Sequence, residues 1–362
     1  MSVNNKILFI INGLGFGGAE TQLIRLSKAL LDKGFSVSII TLTSDLALLD
    51  QLDTRIEHIN IPLNRNLKLL GDIQKILKLI KNRKPDVIHS HLFQANIISR
   101  LIKFFNKKIK VINTTHGSYL LDTRSYSPYK VYRYLQSWVD FHTAVSQEVL
   151  GLLLEHNSIS EQKSIYIPNG LFVKEYYKNK SELDVFRWLS IGRFHPVKDY
   201  VGLIKICAML KEENINFELH IAGDGEERNE LEKLIHKNHL GHQVRLLGIV
   251  EDIPKLLSLY DAFVISSYSE GLPMVLLEAM SASLPVVSTD VGEIGNIIKQ
   301  SKGGIVVPPK RQKDLRNAML EMMHLDRRKL TEWGNNNRAF VGKHYDMDEL
   351  VDTWIDLYFK NN

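Results

Sequence analysis

The sequence predicts an α/β protein of two domains, each built on a mainly parallel sheet, and three observations carry that expectation. The 362 residues exceed what one hydrophobic core usually serves. Short continuous apolar runs, of the kind that form strands covered on both faces, alternate throughout with stretches of helical periodicity. Those runs end in glycine-rich or polar turns, which is where open parallel sheets bind their ligands. Composition is that of a globular chain, at 44% apolar and 24% charged residues. The single cysteine, Cys207, lies among apolar residues of a helical stretch and can form no internal disulfide, which fits core filling in a reducing cytoplasm. No early apolar run resembles a signal peptide and no stretch is long enough to span a bilayer, so a soluble or peripheral protein is expected.

In chain order, residues 6–12 form the first apolar run and lead into a turn containing Gly13, Gly15, Gly17 and Gly18. The helical pattern Leu23, Leu26, Leu30 follows. This spacing satisfies the dinucleotide fingerprint, so an NAD-binding unit has to be weighed. Against it, the next strand, Val37 to Leu42, ends in threonines, and the first acid, Asp45, comes later than a ribose-binding acid should. The alternative is that the glycines let backbone N–H groups approach a phosphate or a sugar. From Leu67 to Lys84, Leu70, Ile73, Ile76, Leu77 and Ile80 recur at helical spacing with Lys68, Lys75, Lys78 and Lys81 among them: an amphipathic basic helix, whose plain role is a solvated face packed on a sheet.

Asp86 to His91 and Val111 to Gly117 each read as a strand delivering polar residues to a loop. His89 and His91 are read as facing opposite ways, so a metal pair is not expected. The tyrosine-rich stretch Tyr119 to Tyr134 suits either a ligand loop or packing. Ser146 is placed to cap a helix from Gln147, and Asn169 precedes Gly170 in a turn or at a ligand. The second half opens with the strand Phe186 to Ile191 and a turn carrying Gly192, Arg193 and Lys198. An arginine fork and a lysine point charge before a helix suit a diphosphate. Phe217 to Gly225, Val244 to Val250 and Asp261 to Ser267 supply further strands and turns. Asp346 and Asp348 open a closing helix, where capping is a better reading than metal binding.

The most informative stretch runs from Ser269 to Met280. A polar loop, a proline at a helix start and an apolar helix enclose two carboxylates, Glu270 and Glu278. A carboxylate inside an apolar helix is costly unless donors meet it, and the hydroxyls of a ligand are such donors. The N–H groups and positive dipole end of the same helix make an anion site beside Glu270. A simpler alternative has Glu270 as a cap and Glu278 with a protein partner.

Glu270, Gly271, Leu272 and Pro273, a second glutamate eight positions after the first, then Ala279, Met280 and Pro285 to Gly292, together resemble the signature of the family-4 (group 1) retaining glycosyltransferases of the GT-B fold, in particular those of bacterial surface-polysaccharide synthesis. The resemblance extends from Gly17, Gly18, Ala19 and Glu20 to Gly192, Arg193 and Lys198. It departs at Ser283, where the family has glycine, and at Gly295 and Asn296, where it has an acid.

This resemblance implies two Rossmann-like domains facing across a cleft: residues 1–172 for the acceptor, a linker at 173–185, and 186–345 for the nucleotide-sugar donor, with the helix 346–362 crossing back onto the first. It implies transfer of a sugar, with retention and without a metal or cofactor, from a nucleotide-sugar, UDP being favoured by family frequency, to a hydroxyl of a saccharide or lipid-linked saccharide. The donor residues carried over are Gly17, Gly18, Arg193, Lys198, Gly223, Val250, Glu251, Glu270, Gly271, Leu272, Pro273, Met274, Val275 and Glu278. Among these, Arg193 and Lys198 take the diphosphate, Glu278 the ribose and the backbone near Val250 the base. His91, His116, Tyr119, Ser146 and Asn169 fall on the acceptor side, and His116, Arg193, Lys198 and Glu270 are the catalytic candidates.

Net charge is +5, but residues 1–180 carry +10 and residues 181–362 carry −5. A basic first half suits an anionic partner, either a phosphorylated acceptor or the inner face of the cytoplasmic membrane, and Lys103, Phe104, Phe105, Lys107, Lys108 and Lys110 form a second basic cluster there. Nucleic acid is excluded as a partner, because no basic segment is interleaved with aromatics in a recognition motif. A sugar-nucleotide epimerase of the same architecture and a non-catalytic sugar-nucleotide sensor are the other readings, with an NAD-dependent oxidoreductase resting only on the first glycine turn.

Overall fold

A computed structural model describes residues 5–63, 69–117, 127–177 and 185–360. The chain divides into two compact units, Met1–Leu171 together with Met347–Asn362, and Phe172–Asp346. Elements of the first unit are β1 (Lys6–Ile11), α1 (Gly18–Asp32), β2 (Ser36–Thr41), β3 (Glu57–Asn60), α2 (Leu69–Arg83), β4 (Val87–His91), α3 (Phe93–Phe105), β5 (Lys110–Thr115), α4 (Ser127–Tyr134), β6 (Phe141–Ala144), α5 (Gln147–Glu155) and β7 (Ser164–Tyr166). Its sheet has the order β3-β2-β1-β4-β5-β6-β7, with parallel pairing throughout. Five consecutive residues of β1, Ile7 to Ile11, are buried, as a strand with helices on both faces requires. Ile76 and Ile80 of α2 join Leu8, Ile10 and Ile88 in the core, while Lys78 and Lys81 face solvent. The basic helix is therefore an ordinary amphipathic cover of the sheet.

The second unit contains β8 (Phe186–Ile191), α6 (Tyr200–Glu212), β9 (Phe217–Ala222), α7 (Arg228–Lys237), β10 (Val244–Gly248), α8 (Ile253–Leu257), β11 (Ala262–Ile265), α9 (Met274–Ser281), β12 (Val286–Thr289), α10 (Ile294–Ser301), β13 (Gly304–Val307), α11 (Gln312–His324) and α12 (Arg327–His344). Its sheet is parallel with the order β10-β9-β8-β11-β12-β13. Trp188, Phe194, Leu203, Ile206 and Cys207 are among its core residues, the cysteine fully buried. In both sheets the chain works outward from its first strand and then crosses to that strand's other side, at β1/β4 and at β8/β11. Such switch points open a crevice at the carboxyl ends of the strands.

The last helix, α13 (Met347–Phe359), belongs to the first unit and buries Met347, Val351, Trp354, Leu357 and Tyr358. It is fixed by a stacked Phe35–Phe359 pair at 5.4 Å, by Lys33 Nζ on Asp352 at 2.7 Å, and by the Met347 N–H donating to the Leu171 carbonyl at 2.9 Å. Phe172 to Tyr177 lies in the second unit: Val173 and Tyr176 are buried, and the Arg338 guanidinium donates to their carbonyl oxygens.

One expectation fails. Residues two apart on a strand point to the same face, not opposite ones, and the rings of His89 and His91 lie side by side with centroids 4.3 Å apart.

Candidate functional site

The turns after β8, β9, β10 and β11 lie at neighbouring positions on one rim of the second sheet, because these four strands are adjacent in the order β10-β9-β8-β11. They hold most of the residues expected to meet the donor. After β8, Gly192 to Asp199 wraps tightly: the Phe194 N–H donates to the Asp224 carbonyl at 2.9 Å, and Phe194 is fully buried. Gly223, at φ +141, is required here, since a Cβ would strike the Gly192 carbonyl. Asp199, left-handed at φ 51, caps α6 by accepting from the Gly202 N–H at 3.0 Å.

That wrap leaves Arg193 exposed, its guanidinium without a partner among the described residues, and turns Lys198 inward. Lys198 Nζ meets Glu270 Oε1 at 2.5 Å, with the two side chains only 21% and 12% exposed. Ser267 Oγ donates to the same carboxylate oxygen at 2.6 Å. The loop carrying Glu270 is tied to the wrap by the Tyr268 N–H on the Val197 carbonyl and by Ser266 Oγ on the Lys198 carbonyl, each at 2.7 Å. Thr289 Oγ1 donates to the Ser267 carbonyl at 2.7 Å and anchors the loop from β12. Gly292, at φ +54, passes so close to the Glu270 and Gly271 carbonyls that any Cβ would collide. Side-chain hydroxyls thus do much of the positioning, and Ser266, Ser267 and Thr289 carried no signal in the sequence, where serine and threonine are common in every loop.

The helix of the signature, α9, starts one residue later than a proline at the first helical position would have it. Pro273 is its N-cap, in extended conformation, and having no N–H it contributes nothing to an anion site. The N–H groups of Met274 and Val275 are the ones that the first helical turn leaves unpaired. Space around Gly271 is open to a Cβ, so a ligand can approach its backbone. Glu278 lies in α9 at 6% exposure. Two strands from β8, Val250 and the exposed Glu251 form the turn after β10, and Asp252 caps α8 by accepting from the Lys255 N–H at 3.0 Å.

In the first unit the candidates also lie at carboxyl ends of strands. Gly17 is the N-cap of α1 and Gly18 its first residue. The turn before them is covered by the loop after β2: the Leu14 N–H donates to the Asp45 carbonyl at 2.7 Å, and the Asp45 carboxylate lies against Gly15. Burial, together with the charge of Asp45, pushes the Glu20 carboxyl above its ordinary value. Two acids beside this turn oppose a pyrophosphate there, which removes the physical basis of the NAD reading. Ser146 caps α5 by accepting from the Val149 N–H at 3.2 Å, and Asn169 is buried, its Oδ1 without a partner among the described residues. Tyr119 lies outside the described residues.

His116 follows β5, and its Nε2 is 2.8 Å from His91 Nδ1 at the end of β4. His89 is saturated, with Nδ1 2.7 Å from Tyr358 Oη and Nε2 2.6 Å from Thr114 Oγ1. Burial holds all three imidazoles below their ordinary value, His116 at about 3, so they are neutral near pH 7. Tyr358 enters this site from the last helix, 269 residues away, and nothing in the sequence marks it. Among the described residues no group of three or more His, Cys, Asp or Glu side chains is placed to hold a metal ion.

Comparison with known proteins gives a consistent result. Residues 174–340 match the family "Glycosyl transferases group 1", and residues 16–174 match "Glycosyltransferase Family 4". Two uncharacterized glycosyltransferases of Methanocaldococcus jannaschii are 31% and 30% identical; the first alignment covers 63% of this chain and 61% of the relative, the second 77% of each. The UDP-Gal:alpha-D-GlcNAc-diphosphoundecaprenol alpha-1,3-galactosyltransferase of Escherichia coli is 25% identical over 94% of this chain and 93% of its own. The crystal structure of Anabaena HepE in complex with UDP superimposes with a TM-score of 0.84 at 20% identity, over 98% of this chain and 100% of that one.

Proposed function

The chain belongs to the group 1, family-4 glycosyltransferases of the GT-B fold, and on that premise we propose that it moves a hexose from a UDP-sugar to a hydroxyl of a lipid-diphosphate-linked saccharide during assembly of a surface polysaccharide. The observation that carries this reading is the Lys198–Glu270 pair, with Ser267 on the same carboxylate and exposed Arg193 on the same turn. A cation held by an exchangeable carboxylate is a resting form of a phosphate site. When a diphosphate arrives, Lys198 turns to it and Glu270 is released to accept from sugar hydroxyls. Arg193 adds a bidentate fork, and the N–H groups of Met274 and Val275 complete the charge complement at the helix end. Glu278 accepts from the ribose diol, and the turn at Val250 and Glu251 takes the base.

The reaction runs with retention. The departing diphosphate is stabilised by Lys198, Arg193 and the helix end, and its oxygen receives the proton of the incoming hydroxyl on the same face of the sugar. His116 and Asn169 serve the sugar and acceptor side. The acceptor class is supported by the Escherichia coli relative, whose name gives an undecaprenol diphosphate substrate. A lipid-linked acceptor asks for a membrane-facing surface, and the first unit has one candidate. Phe104 and Phe105, 49% and 67% exposed, end α3; Phe104 packs on Trp138 with ring centroids 4.5 Å apart; and exposed Lys107 and Lys108 follow. Lys103 and Lys110 are not part of it: the first is bound to Asp140 at 2.7 Å and the second lies over the Phe141 ring. No described helix is long and apolar enough to cross a membrane.

The test is a thermal-shift screen of nucleotide sugars, followed by a transfer assay with the stabilising donor and polyprenol-diphosphate saccharides. A UDP-hexose that raises the melting point and is consumed only with acceptor supports the reading. Conversion of the donor in the absence of acceptor, or stabilisation by no nucleotide sugar, overturns it. Turnover is expected to survive EDTA, and a complete loss restored by manganese would assign the phosphate chemistry to a metal.

A further inference from the structure

Two residues before Glu270, on the same loop, stands a tyrosine that ties this loop to the turn of Lys198. The Tyr268 N–H donates to the carbonyl of Val197, the residue before Lys198, at 2.7 Å. Its phenol donates to the carboxylate of Asp199, the residue after Lys198. Tyr268 thus grips the turn on both sides of the lysine. Asp199 is itself fixed, left-handed at φ 51 and accepting from the Gly202 N–H at 3.0 Å, so the tie runs on into the first turn of α6. Partial burial and the Asp199 carboxylate push the phenol up to about 12, and near pH 7 it is protonated and able to donate. A hydrogen bond from a phenol to a carboxylate is charge-assisted and stronger than one between neutral groups.

A third turn closes on the same ring. Lys310, which follows β13, holds its Nζ 5.7 Å from the centroid of the Tyr268 ring, a cation over the negative π-face. Since β13 is two strands from β11, this contact reaches across the end of β12. Lys310 forms no ion pair among the described residues, and its backbone is left-handed at φ 65, a conformation that glycine adopts without strain. Strain of this kind persists where the surroundings hold a residue in place. We propose that Tyr268 is a positioning residue of the phosphate site: clamped by Lys310 and bonded to Val197 and Asp199, it keeps the turn of Lys198 and the loop of Glu270 at a fixed spacing while their side chains exchange each other for a diphosphate. The inference rests on the reading of Lys198 and Glu270 as donor-phosphate residues. Without the tie the two groups move with separate loops, and binding a diphosphate has to order them first.

Isothermal titration calorimetry with UDP and with uridine isolates the phosphate contribution as the ratio of the two affinities. Tyr268→Phe keeps the ring beneath Lys310 and deletes the hydroxyl; it should lower that ratio roughly fivefold and leave uridine affinity unchanged. The Ser266 hydroxyl bond to the Lys198 carbonyl remains in this variant and limits the loss. Because Tyr268 acts through Lys198, the same substitution in a Lys198→Ala background should cost no further affinity, an outcome that general loosening of the unit does not give. Lys310→Gly should lower the ratio about threefold, the worth of a cation over an exposed ring. Should Tyr268→Phe fail to fold, Lys310→Gly decides, since φ 65 suits glycine, and an unchanged ratio there overturns the clamp. A native ratio that Tyr268→Phe leaves intact, or an equal loss with and without Lys198, overturns the proposal. Native protein that binds UDP no tighter than uridine instead removes the phosphate site itself, and the role of Tyr268 with it.

Discussion

Lys198 illustrates how a single side chain can be legible in sequence while its state is not. Its spacing from Gly192 and Arg193 suggests a phosphate-binding turn to a reader of the sequence, but the partner it holds, Glu270, comes from 72 residues away. A partly buried ion pair of this kind is weak evidence for stability, since desolvation offsets much of the attraction. Its placement makes better sense as a charge reserved for a ligand. Lys198→Ala and Arg193→Ala are each expected to lower turnover about a hundredfold, in line with the loss of one group that stabilises developing charge. Steady-state kinetics with the identified donor, at matched folding by circular dichroism, measures this; full turnover in both variants would remove the proposed phosphate site. Glu278 and Pro273 show the opposite case: the residue types were plain in the sequence, but which helical position the proline takes, and therefore which N–H groups remain, follows only from the chain's path.

Among the elements, α9 explains one departure from the family pattern. Ser283, just past its end, is left-handed at φ 57, a conformation that glycine adopts without strain and a side chain does not. Ser283→Gly is expected to raise the melting point by a few degrees, corresponding to about 1 kcal/mol, as differential scanning calorimetry would show. The second departure has a packing cause: the Asp290 carboxylate fills the space where a side chain at Gly295 would lie, and is held there by Lys299 at 2.9 Å. The end of α3 makes a prediction of its own. Replacing Phe104 and Phe105 by serine should abolish binding to vesicles containing anionic lipid in a flotation assay, with nucleotide binding unchanged. Equal binding of native protein and variant would show that the patch has another use. Periodicity found α2, and composition the basic cluster after Phe105, but neither could rank them, because the sorting of lysines into free and paired ones depends on acids such as Asp140 brought in from distant segments.

At the scale of the whole molecule, the first unit carries three buried histidines, His89, His91 and His142, and the partly buried His116, all held below the ordinary value of 6.5 by desolvation, His142 also by Arg100. Their unfolded forms bind protons that the folded forms refuse. The stability they contribute is therefore complete above 6.5 and is lost as pH falls from there toward the folded values, about 3 for His116. Urea unfolding followed on the first unit should show a midpoint that drops between about pH 7 and about pH 5. A midpoint independent of pH across that window would mean that the histidines are solvated.

The sequence by itself determined the α/β class, the two parallel sheets and the family, and it marked the turns after β8 to β11 that share one rim. Each of these is written in local pattern: apolar runs, turn glycines, and carboxylates at fixed spacing along one helix. Tertiary structure alone decided that Asp45 covers the first glycine turn, that Glu270 holds Lys198, that Lys103 is spent on Asp140, and that Tyr358 and His89 brace the pair His91 and His116. Those facts depend on which distant segments come together, and no periodicity records that, because hydrogen bonds and ion pairs act between neighbours in space whatever their separation along the chain.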